Sequence, residues 1–141
     1  MTKDRIPWSA SIVGACGVIL VGIGLYFLFL RPPLLVEDAR YVGATLEELQ
    51  TIAPGIEAWL ERVFWVLGGY MAATGILTAY LAATALRARA GGAAITVTLA
   101  GIISIGSMAV VNVLIDSDFK VPLVALAALW AIALVLYRLG R

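Results

Sequence analysis

Apolar residues run almost unbroken through residues 8–30, 63–86, 93–115 and 121–137, and the polar positions gather between those runs. A helix needs about 20 apolar residues to cross about 30 Å of hydrocarbon. The first three runs reach that length. The fourth falls short, so it must stand nearly upright or be extended by its flanks. Lipid admits only helices or closed barrels, and these runs are continuous rather than alternating, which excludes a barrel. The pattern predicts one all-α domain over residues 1–141, an up-down four-helix transmembrane bundle.

The stretch 31–62 is different, with six acids and three arginines set among apolar residues. Arg31-Pro32-Pro33 ends span one, because proline cannot continue a helix and biases its predecessor toward extended geometry. Thr45-Leu46-Glu47-Glu48 reads as a capping box. Leu46, Leu49, Ala53, Ile56, Leu60 and Val63 then recur at steps of three and four, tracing one helical face. Pro54-Gly55 interrupts it. The expectation is a short amphipathic helix over about Leu46 to Ile52 in the first outer loop. A second helix then starts near Ile56 and runs on as span two for roughly 31 residues, about 46 Å. The acids read as a solvated face, with a partner-docking or cation-attracting surface as the sharper alternative.

Composition agrees with lipid as the solvent. The chain is 62% hydrophobic and 13% charged, against about half and about a quarter in a soluble domain. It has no histidine and a single cysteine, so it lacks the commonest general base and cannot form an internal disulfide or a CxxC pair. Lys3 and Arg5 before an apolar run resemble a signal peptide, but the run is too long for one. "VGAC" at 13–16 resembles a lipoprotein box, yet no polar tether follows it.

Charge sets the expected orientation. Lys3, Arg5, Arg87, Arg89, Arg138 and Arg141 share one side with Asp4 alone. The other side holds Arg31, Arg40, Arg62 and Lys120 with eight acids. By the positive-inside rule both termini are cytoplasmic, and in a bacterium the acidic loop is periplasmic.

Within the spans, Gly68, Ala72, Gly75, Ala79 and Ala83 form a small-residue stripe on span two, suited to close packing of a neighbouring helix. On span one, Ala10, Gly14 and Gly22 share a face, with Gly17 and Gly24 nearby. Trp130 falls near mid-span, where its indole N–H needs a partner inside the bundle. Asn112 is the most polar intramembrane group, and a hydrogen bond to a neighbouring helix is its expected role. Asp116 and Asp118 are expected to pair with Arg31, Arg62 or Lys120. Arg31, Arg62, Asn112, Asp116 and Asp118 together make a candidate polar cluster at the outer ends of spans one to three.

No charged residue lies in mid-span, whereas a proton-coupled exporter needs a buried carboxylate there. Phosphate-binding glycine loops, metal-ligand clusters and basic aromatic patches for nucleic acid are missing too. "RPPLLVEDARYVG", "RVFWVLGGYMAATGILTAYLA" and "VNVLIDSDF" resemble small bacterial four-helix integral membrane proteins of uncharacterised activity. The resemblance implies an inner-membrane location and carries no activity or site. The leading expectation is a non-enzymatic accessory or interaction protein, without cofactor or metal. Its partners would be membrane lipid and another membrane protein or a second copy of itself, not nucleic acid. The alternative is a binder or carrier of a small amphiphile, using the polar cluster.

Overall fold

The computed structural model describes residues 7–140, and the described residues form an all-helical bundle. Four helices are long and apolar enough to span a membrane: α1 (Trp8–Phe29), α4 (Ile56–Leu86), α5 (Ala93–Leu114) and α6 (Lys120–Arg138). Two short helices, α2 (Val36–Val42) and α3 (Leu46–Ile52), sit in the first long connection. Pro7, the 87–92 turn and Arg138 mark the terminal end of the bundle. The 30–55 connection and the 115–119 turn mark the loop end.

The breaks follow local chemistry. At the end of α1 the N–H groups of Leu30 and Arg31 both donate to the Tyr26 carbonyl, at 2.9 and 2.8 Å, before Pro32 and Pro33 stop the helix. Helix α4 starts after Pro54-Gly55 and runs 31 residues, so it outreaches the hydrocarbon by about 15 Å. Wider, π-type turns occur at Ala82–Leu86 in α4 and at Ile102–Gly106 in α5. Helix α5 ends with Asp116 at φ 54°, the left-handed position that glycine usually takes. There the Ser117 N–H closes back on the Asn112 carbonyl at 2.9 Å.

Helix α3 occupies the expected residues and carries the expected cap. The Glu48 N–H donates to Thr45 Oγ1 at 3.1 Å, and the Thr45 N–H donates to Glu48 Oε2 at 2.8 Å. Gln50 Nε2 ties α3 to α4 through Glu57 Oε1 at 2.7 Å. Thr45→Ala is expected to cost the α3 segment about 0.5–2 kcal/mol, read as faster amide exchange over Leu46–Ile52 and none in the spans. The Thr45 backbone and hydroxyl hold the Glu48 carboxyl below the ordinary value of 4.5. Its contribution is therefore complete above pH 4.5 and is lost as pH falls through the lower folded value. A spin label on α3 should gain mobility under acid in the wild type, and Glu48→Gln should remove that response. A label as mobile at pH 7 as at pH 3 would mean the cap holds nothing.

Helix α1 is the hub. It packs along α4 and against α6. The seam with α4 is made of glycine. A Cβ on Gly17 would lie 2.8 Å from the Gly75 carbonyl oxygen and from the Ala79 nitrogen, and one on Gly24 would lie 2.7 Å from the Gly68 oxygen. In return, a Cβ on Gly75 would meet the Gly17 oxygen at 2.6 Å, and one on Gly68 the Gly24 oxygen at 2.7 Å. Backbones this close gain dispersion and Cα–H···O contacts that any side chain would block. The Gly68, Ala72, Gly75, Ala79 stripe therefore faces α1. On α1 the closest-approaching residues are Gly17 and Gly24; of the expected Ala10, Gly14, Gly22 face, Ala10 is buried and Gly22 is the one that points away from α4. A Cβ on Gly14 would meet only the Ala82 Cβ, at 3.7 Å, and one on Gly22 would meet nothing within 4 Å.

The dense core sits toward the terminal end, where Val13, Cys16, Leu20, Leu86, Val97, Ile105 and Trp130 are all buried. Trp130 crosses to α5, where its Nε1 donates to the Val97 carbonyl at 3.2 Å. Its indole lies over Gly101, where an added Cβ would come within 2.6 Å of Cε2. Toward the loop end the bundle opens, and that opening is the candidate site.

Candidate functional site: a roofed cavity between spans one, three and four

Helix α1 makes no extended contact with α5 among the described residues. The space between them, flanked by α6, is a cavity of about 720 Å³, well inside the range of small-molecule sites. Its walls are apolar: Ile19 and Ile23 from α1, Met108 from α5, and Leu123, Leu126 and Leu129 from α6. Ile19, Gly22, Ala125 and Leu129 also line it and are exposed, so the cavity opens sideways onto the apolar belt of the bundle. Its polar residues collect at the loop end: Arg31, Glu37, Asp38 and Asn112, next to the rings of Tyr26 and Phe119.

Helix α2 is the roof, and two carboxylates fasten it. Glu37 is 7% exposed. Its Oε1 accepts from Ser117 Oγ at 2.8 Å and its Oε2 from the Asp118 N–H at 2.9 Å. Ser117 Oγ in turn accepts the Phe119 N–H at 3.1 Å. One buried side chain thus clamps α2 to the turn between α5 and α6. Asp38 fastens the other edge. Its Oδ2 accepts the Leu35 N–H at 2.9 Å, capping α2, and also Arg31 Nη2 at 3.1 Å. The Arg31 guanidinium stacks over Phe64 with Cζ at 3.8 Å from the ring centre, and lies 5.4 Å from that of Phe27. Its Nη1 donates to the Pro32 carbonyl at 2.8 Å.

Of the five candidate residues, the structure brings Arg31 and Asn112 to this cavity. Arg62 instead donates to the Ala58 carbonyl of its own helix. Asp116 and Asp118 stand on the exposed turn. Asp116 pairs with Lys120, whose hydrogen bond and charge hold its carboxyl below the usual range, and Asp118 lies 4.0 Å from Arg40 Nη2. Arg31 pairs with Asp38 instead, because the tight Pro-Pro exit folds the chain back across the end of α1. Asn112 does not reach another helix. Its Nδ2 donates to the Met108 carbonyl one turn back, at 2.9 Å, which leaves Oδ1 and the second N–H without a partner among the described residues.

Sequence reasoning missed α2, and with it Glu37, Asp38 and Ser117. A signal was present. Glu37 and Asp38 fall in a first turn and Gly43 follows the last, the acidic-start, glycine-stop signature of a helix. Seven residues are too few for hydrophobic periodicity to show it.

Searches against protein-family models, curated proteins and solved structures find no match to this chain. The site is therefore read from its own chemistry.

Proposed function

We propose that this is a non-enzymatic, multi-pass protein of the bacterial inner membrane that holds one lipid-like amphiphile in the cavity under α2. The carrying observation is the cavity's polarity gradient, with apolar walls and charged or amide groups confined to one end. Its length suits a lipid. From Arg31 to Ile19 the wall rises about 18 Å at 1.5 Å per residue, slightly more than one leaflet's share of about 30 Å. The lateral opening gives a chain from the bilayer a way in. An accessory role toward another membrane protein is compatible with this, since α4 extends past the apolar belt and presents the exposed Trp59 beside Glu61.

Gly22 offers a clean test. It lines the cavity, and a Cβ there meets nothing within 4 Å, so Gly22→Leu fills the space without strain. Protein extracted gently and weighed by native mass spectrometry is expected to retain one lipid per chain. Gly22→Leu should retain none while melting within a few degrees of wild type. Equal lipid retention by the two proteins would end the proposal.

The arginine-rich side is assigned to the cytoplasm on charge alone. In a Cys16→Ser background, Ala44→Cys is expected to react with an impermeant thiol reagent in intact cells and Ala90→Cys only after lysis. The reverse pattern would invert the topology and put the cavity in the other leaflet.

A further inference from the structure

The rim of the cavity is built to accept hydrogen bonds and positive charge. Resting on the lipid-site reading above, we infer that the bound amphiphile carries a protonated amine in its head group, as an ethanolamine-type phospholipid does.

The charged groups lining the cavity are Arg31, Glu37 and Asp38. Arg31 and Asp38 neutralise each other at 3.1 Å. Arg31 is further committed to two proline carbonyls and to the Phe64 face, with its side chain only 9% exposed. Glu37 has no cationic partner among the described residues; both of its hydrogen bonds come from neutral donors, Ser117 Oγ and the Asp118 N–H. One cation against two carboxylates leaves the rim with a single uncompensated negative charge.

The carboxylates add free acceptors to that charge. A carboxylate oxygen takes about two donors, so Glu37 has room for more, and Asp38 keeps Oδ1 free because both of its bonds fall on Oδ2. Asn112 gives one N–H to Met108 and keeps Oδ1 beside its second N–H. Two aromatic rings complete the rim. Tyr26 and Phe119 stand with centroids 6.4 Å apart, and their faces attract a cation electrostatically. Acceptors, a net negative charge and aromatic faces together match an ammonium with N–H donors. An anionic head group such as glycerol phosphate would meet like charge at both carboxylates.

The measurement is native mass spectrometry of the full chain, delipidated in detergent and offered equimolar phosphatidylethanolamine, phosphatidylglycerol and phosphatidylcholine with identical acyl chains. The ethanolamine lipid is expected to occupy the single site about tenfold or more over either competitor, the scale of one charge-assisted hydrogen bond. Glu37→Gln removes the charge and one of the two acceptors that hold α2, so binding of all three lipids should weaken, that of the ethanolamine lipid about tenfold more than either competitor's. Binding of all three lipids alike, lost in Gly22→Leu, would leave the lipid site standing and overturn the amine. Phosphatidylcholine equal to the ethanolamine lipid would overturn it too, since that head has the charge without a donor. Adducts unaffected by Gly22→Leu would remove the site itself, and the amine with it.

Discussion

Gly24→Leu and Gly75→Leu should each break the α1–α4 pair, while Leu77→Ala on the same helix leaves it intact. The reason is what a Cβ would meet. At Gly24 the nearest atoms are the Ala72 nitrogen at 2.5 Å and the Gly68 oxygen at 2.7 Å; at Gly75 they are the Gly17 oxygen and the Val21 nitrogen. All are main-chain atoms of a neighbouring helix. They cannot turn aside as a flexible side chain could, so the helices must separate along the whole seam. A cost of about 3 kcal/mol is expected, the upper end of overpacking. Leu77 is 62% exposed and should stay within about 0.5 kcal/mol of wild type. Thermal melts in one detergent decide it, with Gly22→Leu as the control for adding leucine to α1. Wild-type melting of Gly75→Leu would mean that the helices do not meet at this glycine.

Trp130→Ala should cost about 3–5 kcal/mol, the range for emptying a buried aromatic site. Trp130 is 3% exposed and joins α6 to α5 by packing over Gly101 and by its bond to Val97. Trp130→Phe keeps most of the packing and should lose about 0.6–1.7 kcal/mol, the usual worth of an interhelical hydrogen bond in a membrane. Gly101→Ala should do more, because the methyl displaces the whole indole. The pair must also couple. Once Trp130 is alanine, a methyl at Gly101 has space, so the double variant should be clearly more stable than the summed losses. Strict additivity would separate the two residues.

Most of the bundle is legible in the sequence. The apolar runs 8–30 and 93–115 became Trp8–Phe29 and Ala93–Leu114, because in lipid a continuous apolar run leaves little else to form. Helix α3 was legible because Thr45 and Glu48 satisfy each other's backbone within three residues. The need of Trp130 for a partner was also legible, though not the partner's identity, Val97. The seam was half legible. The stripe on α4 stands out in the sequence, but α1 carries glycines on more than one face, and only docking on α4 separates Gly17 and Gly24 from Gly22. The roof was legible only as a faint helix signature at 36–42, not as a roof. Glu37 acquires its role from Ser117, eighty positions later, at a turn whose shape depends on Asp116 holding a left-handed φ. No local pattern records that meeting.

A photoactivatable phospholipid with its reactive group at the end of an acyl chain tests the central claim most directly. Crosslinked in membranes and mapped by peptide mass spectrometry, its adducts should concentrate on Ile19, Leu126 and Leu129, deep in the cavity. Gly22→Leu should abolish that concentration. Adducts spread evenly over exposed apolar positions such as Ile76, Ile103 and Val110, with no excess on the cavity wall, would contradict a lipid held beneath α2.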